Sequence, residues 1–369
     1  MQTPLFQPRA RANRYGLALT ADIEAALALH SPVAIGVSGG KDSSALAFAT
    51  VEHLDRVGHR GPRILIHSDL GRVEWRDSAP TCERLSQALG IELVTVRRNA
   101  GDMMDRWLTR WSNNVQRYTD LSCVKLILPW STPSMRFCTS ELKTAIICRE
   151  LVRRFPGTTI LSACGIRRQE SPGRKKAPIA KENAKLRSVC HRTRGFDWHP
   201  IIEFGLDDVL AIHEERQFEL HEAYRLHGSS RVSCGFCMMG SRNDLAAAAG
   251  APEHADLYRE MVDLECVSSF AFQSEGWLGD VAPWLLGEAV HDLAHAKTVA
   301  RERERIEAEI PKHLLYTDGW PTCVPSYPEA RLLSEVRAQI GALLGIDIKH
   351  GSPELVIRRY ENLMAEAAA

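Results

Sequence analysis

The sequence has no apolar run approaching the roughly 18 to 20 residues that cross a bilayer, and its opening stretch, MQTPLFQPRARANRYG, holds no apolar segment of signal-peptide type. Both absences set the expectation of a cytoplasmic protein with no membrane partner. Internal repeats and low-complexity tracts are missing too, which excludes a repeat array. Net charge is absent: 46 Lys and Arg balance 46 Asp and Glu, which argues against a general nucleic-acid coat. The ten cysteines lack dense, regular spacing, so a disulfide framework is excluded and thiol or metal chemistry in a reducing compartment is indicated.

What remains, 369 residues of which 44% are hydrophobic and 25% charged, suffices for one large domain and a smaller one. We expect a polar arm over residues 1–20, a nucleotide-binding domain over 21–245 and a helical region over 246–369. Charge is unevenly placed within these bounds. From Arg136 to Arg194 there are 15 Lys and Arg against 4 Glu, whereas from Asp197 to Ile310 there are 22 acidic residues against 9 basic ones. The basic stretch therefore suits a polyanionic ligand as a local feature.

The chain is organised around VAIGVSGGKDSS, residues Val33 to Ser44. Val33, Ala34, Ile35 and Val37 form the apolar run of a buried parallel strand, which Ser38, Gly39 and Gly40 end abruptly. Adjacent glycines let amides approach an anion with no Cβ in the way. Lys41 adds a positive charge, Ser43 and Ser44 add hydroxyls, and the helical pattern from Asp42 onward places the loop at a helix N-terminus. The Walker spacing is missing, so this phosphate cradle is of another kind.

Further strands at Arg63–His67, Glu92–Arg97 and Thr158–Cys164 alternate with helical segments, the mark of a parallel α/β sheet. Ligands in such sheets sit off the carboxyl ends of the strands, which places Asp69 in the same crevice as the glycines, ready for ribose, adenine or magnesium. In PSMRFCTSELK, Thr139 or Ser140 starts a helix, leaving Cys138 just before its N-terminus among cations, where a thiolate is favoured. Lys143 lies on its first turn. Trp107 and Trp111, four apart, mark the core face of an amphipathic helix over Met103–Tyr118. Lys175–Arg194 has weak periodicity and reads as a mobile flap. Cys234 and Cys237 form a C-x-x-C in a Gly-flanked loop. Cys138 is the best third ligand beside them, with Cys123, Cys164 or Cys190 as a fourth; an iron–sulfur cluster, zinc, and a redox or inert thiol pair all stay open. The late sequence suggests helices over Asp244–Cys266, Leu285–Ala308 and Glu329–Leu344, a solvated face at RERERIEAE and a fraying tail at AEAAA.

SGGKDS resembles the SGGxDS signature of the PP-loop ATP pyrophosphatases, enzymes that cut ATP between its α and β phosphates. HSDLGRVEW, the R-x-C-T-x-x-L-K element at Arg136–Lys143, GIRRQESPGR and the FDWHPIIEF segment with Asp208 and Val209 resemble the phosphoadenylylsulfate (PAPS) reductase-like branch of that family. Together these motifs cover residues 30 to 245. The resemblance implies a doubly wound, mostly parallel sheet of the adenine-nucleotide α-hydrolase, Rossmann-like type, with a helical C-terminal region. It implies ATP and magnesium as cofactors, an adenine nucleotide as ligand, a nucleic acid or sulfur donor as partner, and a homodimer. It assigns nucleotide binding to Ser38, Gly39, Gly40, Lys41, Asp42, Ser43, Asp69, Lys143, Gly165, Arg168 and Arg174, and chemistry to Lys41, Asp42, Cys138 and Arg167. Two features depart from PAPS reductases proper: the glycine loop is intact, and no Glu-Cys-Gly-Leu-His motif follows. The expectation is therefore an enzyme that adenylylates an acceptor for sulfur transfer. The alternatives are a thiol-dependent sulfonucleotide reductase and an idle nucleotide- or nucleic-acid-binding accessory.

Overall fold

In the computed structural model the described residues are 16–368 apart from Glu275, so most of the expected N-terminal arm lies outside them. In chain order the first elements are α1 (Ala21–Ala28), β1 (Val33–Val37), α2 (Lys41–Arg56), β2 (Arg63–Asp69), α3 (Ser78–Leu89), β3 (Leu93–Arg97) and α4 (Met103–Thr119). Then come α5 (Phe137–Thr139), α6 (Ala145–Arg154), β4 (Thr159–Ala163), β5 (Ala180–Glu182), β6 (Arg194–Trp198), α7 (Leu206–Glu215) and α8 (Glu222–Arg225). The last are α9 (Arg242–Ala249), α10 (Ala255–Ser268), α11 (Val290–Glu307), α12 (Tyr327–Leu344) and α13 (Pro353–Ala368).

The chain divides into two compact units. One comprises the described residues up to Leu70 together with Glu74–Arg98 and Thr139–Ser233. The other comprises Gly71–Val73, Asn99–Cys138 and Cys234–Ala369. Composition places a change near residue 245; the contacts place it at 233 and 234 and group 99–138 with the C-terminal helices.

The first unit is an α/β layer structure with a six-stranded sheet in the order β3-β2-β1-β4-β6-β5. All pairings are parallel except β5 with β6. Period-two alternation sorts the strand side chains to opposite faces. Val33, Ile35, Val37, Leu65, Leu161 and Ala163 join a core with α1, α2, α3 and α7, while Ala34, Ile64, Ile66 and Ile160 join a second core with α6. Helices thus cover both faces, as a doubly wound parallel sheet requires. The segment expected to be a flap contains β5, tied to β6 by an antiparallel ladder, so part of it is a sheet edge.

The second unit is helical. Asp102 and Asp105 cap α4 reciprocally, Trp107 packs edge-on against Trp130 at 5.3 Å between ring centres, and Trp107 and Trp111 are both buried, core as their spacing predicts. The helix expected over Asp244–Cys266 is two, α9 and α10, because Gly250 and Pro252 interrupt it. The helix expected from Leu285 starts at Val290, after short 3₁₀ turns. Of the tail expected to fray, residues 365–368 belong to α13 and Ala369 lies outside the described residues. Among the described residues no helix is long and apolar enough to cross a membrane.

Candidate functional site

β1 lies between β2 and β4, so the connections leaving its carboxyl end and theirs depart in opposite directions and open a crevice there. The loop Ser38–Gly40 occupies that end. Gly39 has φ +75°, and a Cβ on it would come within 3.0 Å of the Ser78 carbonyl oxygen, so the turn requires glycine. The first intrahelical bond of α2 runs from Ser44 N to Gly40 O at 3.1 Å, leaving the amides of Lys41, Asp42 and Ser43 ahead of the helical ladder. Ser43 stitches the loop together: its hydroxyl accepts from Ser38 N at 3.2 Å and donates to Gly40 O at 2.8 Å. Ser44 Oγ also donates to Gly40 O, at 3.3 Å. The hydroxyls of Ser43 and Ser44 therefore shape the cradle from within.

Asp42 is the electrostatic centre. One of its oxygens receives Arg167 Nε at 2.6 Å and the other faces Lys41 Nζ at 3.2 Å. Both oxygens carry a cation, so the carboxylate aims Lys41 and Arg167. Arg167 is itself nearly buried and donates further to Gln169 Oε1 at 3.0 Å and Phe204 O at 3.5 Å. Gly165 allows the β4 end to approach this network, because a Cβ there would lie 3.1 Å from Asp42 O. The ammonium of Lys41 also stands 5.1 Å from the centre of the Tyr224 ring.

Histidines brace the loop from below and beside. His67 on β2 is buried, with Nδ1 3.1 Å from Val37 O and Nε2 3.2 Å from Glu74 Oε2. Two acceptors call for two ring protons. Burial opposes the charge, but hydrogen bonding to Cys82 and to the Glu74 carboxylate outweighs it and raises the imidazole to about 10. His213 Nε2 meets Lys41 O at 2.9 Å. His221 is neutral by contrast: burial pushes it down to about 4, Nδ1 accepts Ala223 N–H at 3.0 Å, and Nε2 meets Ser78 Oγ at 3.3 Å.

The other expected site residues are distributed unevenly. Asp69 ends β2 and pairs loosely with Arg97 at 3.8 Å. The adjacent Ser68 Oγ donates to Leu142 O at 2.5 Å, which fastens the π turn Ser140–Thr144, and with it Lys143, against the end of β2. Arg168 is turned to its own segment, donating to Glu203 at 2.7 Å and to the carbonyls of Lys175 and Ala177 at 2.7 and 2.8 Å. Arg174 pairs with Glu170. The structure thus brings Arg167 to the loop and commits Arg168 and Arg174 to contacts along the following segment.

The cysteines need a separate account. Cys138 lies inside the short helix Phe137–Thr139 instead of ahead of it and is half-buried, as are Cys234 and Cys237. Between that pair, Phe236 is buried against the rings of His254 and Tyr258 at 5.7 and 5.5 Å. Burial pushes Cys123 up to about 11, and Asn114 Nδ2 lies 3.9 Å from its sulfur. Cys164 is pushed up to about 12 by burial, and Cys190 is exposed. Among the described residues no three His, Cys, Asp or Glu side chains come together as ligands of one metal ion. The present arrangement therefore does not fit a cluster or zinc held by Cys138, Cys234, Cys237 and Cys123.

Sequence reasoning missed Tyr224, His213 and His221. Each acts on the loop from far along the chain; the density of His and Tyr in HEAYRLH hints at Tyr224 and His221, and His213 lies outside that stretch. No family model matches this chain. It is similar to an uncharacterized 37.8 kDa protein in the gpa 5′ region of Escherichia phage 186, with 26% identity over 238 residues that span 58% of this chain and 68% of the phage protein. Among solved structures, that of the U34-tRNA thiolase NcsA from Methanococcus maripaludis with its 4Fe–4S cluster aligns with a TM-score of 0.34 and 14% identity, over 76% of this chain and 73% of that one.

Proposed function

We propose that this protein is a PP-loop enzyme that binds ATP at Ser38–Ser43 and cleaves it between the α and β phosphates, adenylylating an acceptor for sulfur transfer. One observation supports the reading above the rest: Asp42 holds Lys41 and Arg167 together at the head of a glycine loop off the carboxyl end of β1. A packing turn has no use for such an arrangement, whereas a leaving pyrophosphate does.

In this reading an acceptor oxygen attacks the α phosphorus, the bond from that phosphorus to the α–β bridging oxygen breaks, and pyrophosphate leaves with the electron pair. Lys41 and the loop amides meet the charge that grows on the bridging oxygen. Arg167 acts through Asp42 as a positioning residue. Asp69, at the end of β2 next to β1 and paired with Arg97, is in this reading the second carboxylate offered to the nucleotide or the magnesium that ATP brings. No step is assigned to a metal centre on the cysteines. The basic segment from Lys175 to Arg194 points to a polyanionic acceptor such as a nucleic acid.

The test is the product pattern from α-labelled ATP. Formation of labelled AMP or an AMP adduct together with pyrophosphate, in the presence of nucleic-acid acceptors, is expected. Release of ADP and phosphate, or binding of ATP with no turnover under any acceptor, counts against the reading.

A further inference from the structure

The least expected group at the loop is the Tyr224 hydroxyl. Its oxygen receives two backbone donors, Lys41 N at 3.3 Å and Val232 N at 3.1 Å. A phenol oxygen has two lone pairs and one hydrogen. Both lone pairs are thereby engaged, and the hydrogen is left as the group's outgoing donor. That oxygen lies at the mouth of the cradle: a Cβ built on Gly40 would stand 3.6 Å from it.

The segment that carries Tyr224 is held firmly. His221 caps the short helix α8 through Ala223 N, Glu222 N donates to Asp77 Oδ2 at 3.1 Å, and Ser229 N donates to Ala223 O at 2.8 Å. Burial raises the phenol above its ordinary range, which keeps it protonated.

Resting on the nucleotide reading above, we infer that Tyr224 is a phosphate-binding residue whose hydroxyl donates to a non-bridging oxygen of the pyrophosphate moiety. It gathers the dipoles of two amides, one from the loop and one from Val232, into a single O–H donor. Polarisation along such a chain strengthens the last bond. The same side chain presents its ring face to the Lys41 ammonium, so one residue both orients the cation and supplies a neutral donor. Its ligand class is inorganic pyrophosphate or the β and γ phosphates of a nucleoside triphosphate, not the adenosine end.

Calorimetric titration of the full chain with inorganic pyrophosphate and, separately, with AMP tests this. Tyr224→Phe keeps the ring and its stacking on Lys41 while removing the hydroxyl. Pyrophosphate affinity is expected to fall about tenfold, with AMP affinity unchanged within twofold. Equal pyrophosphate affinity in the two proteins overturns the inference, and so does a parallel loss of both ligands, which would mark a merely structural tyrosine. A wild-type protein that binds neither pyrophosphate nor ATP sinks the nucleotide reading itself, a distinct result. The unaltered protein gives a second measurement: the ¹³Cζ resonance of Tyr224 should move on adding pyrophosphate and stay in place with AMP. A resonance that ignores pyrophosphate while the calorimeter records binding overturns the inference as well.

Discussion

Both units hold charges away from water, but they use them differently. In the α/β unit the side chains of Lys41 and Asp42 keep 14% and 18% exposure, and Lys41 leans on a ring face and one carboxylate. In the helical unit Arg337 and Glu265 are fully buried and tied to the backbone. Arg337 donates to the carbonyls of Tyr118, Thr119, Lys349 and His350, and Glu265 accepts from the amides of Phe272, Leu278 and Gly279. A charge whose hydrogen bonds close on its own backbone splices segments together. One that retains an open side is available to a ligand.

The sharpest break between the two regions is expected from one substitution in each. Lys41→Ala should lower pyrophosphate release by roughly 10²–10³-fold with an unchanged urea midpoint, since it removes stabilisation of developing charge from a partly exposed position. Glu265→Ala should cost about 3 kcal/mol or more in urea unfolding, because it leaves three buried amides without an acceptor. A Lys41→Ala protein that unfolds early, or a Glu265→Ala protein that unfolds like the parent, would erase the distinction.

Acidification from pH 7 to 5 should pull the units in opposite directions. His221 is held down at about 4 by burial, so the unfolded chain takes up a proton first and the α/β unit loses stability as pH falls through the ordinary histidine range. His53 and His59, also lowered by burial, act in the same sense. His67, raised to about 10, already contributes fully below its unfolded value and changes little in this window. Glu265 is raised to about 7 by burial, so the folded helical unit takes up the proton first and gains stability over the same interval. Glu307 acts with it, while His350 opposes. Each of the two leading groups contributes on the order of 2 kcal/mol. Hydrogen exchange followed by peptide should show faster opening around His221 and slower opening around Phe272, and Glu265→Gln should flatten the second trend.

Arg168→Ala should have a milder effect, about 1 to 2 kcal/mol on local opening of residues 175–177, because two carbonyls lose their donor. Pyrophosphate release from ATP alone should be retained, since its contacts lie off the loop. The smallest effect is expected from Arg305→Ala, whose partners, Glu302 on α11 and Glu309 just beyond its end, are solvated; no change in thermal midpoint should be measurable.

The difference between the units also marks what was legible in the sequence. Val33 to Ser44 could be read because a strand, a turn and a helix start follow one another within a dozen residues, and each obeys local rules. The neighbouring strands were legible for the same reason. Tyr224 was not: it sits in a helix of only four residues, and its value comes from a bond to Lys41 across 183 positions. The division between 98 and 99 was equally hidden, since residues 99–138 owe their place to partners far along the chain, as the bond from Thr119 Oγ1 to Asp347 O illustrates. Within the loop the residue types were legible and their partners were not. Residue types gave Asp42 and the two serines as ligands, and the geometry shows them engaged with Lys41, Arg167 and the Gly40 carbonyl.

The strand β5 has a consequence for the protein in crowded solution. It is three residues long, runs against its neighbour, and carries Lys181 and Glu182 exposed at the rim of the sheet. Charged side chains on so short a border give an incoming strand little template to extend, and the ladder terminates there. The opposite border, β3, is longer and carries Leu93, Val94 and Val96 half-covered. Sticky growth of this sheet, if it is ever provoked by heating or concentration, has one side from which to start, and a lysine placed at Thr95, whose side chain is exposed, is the change that would close it.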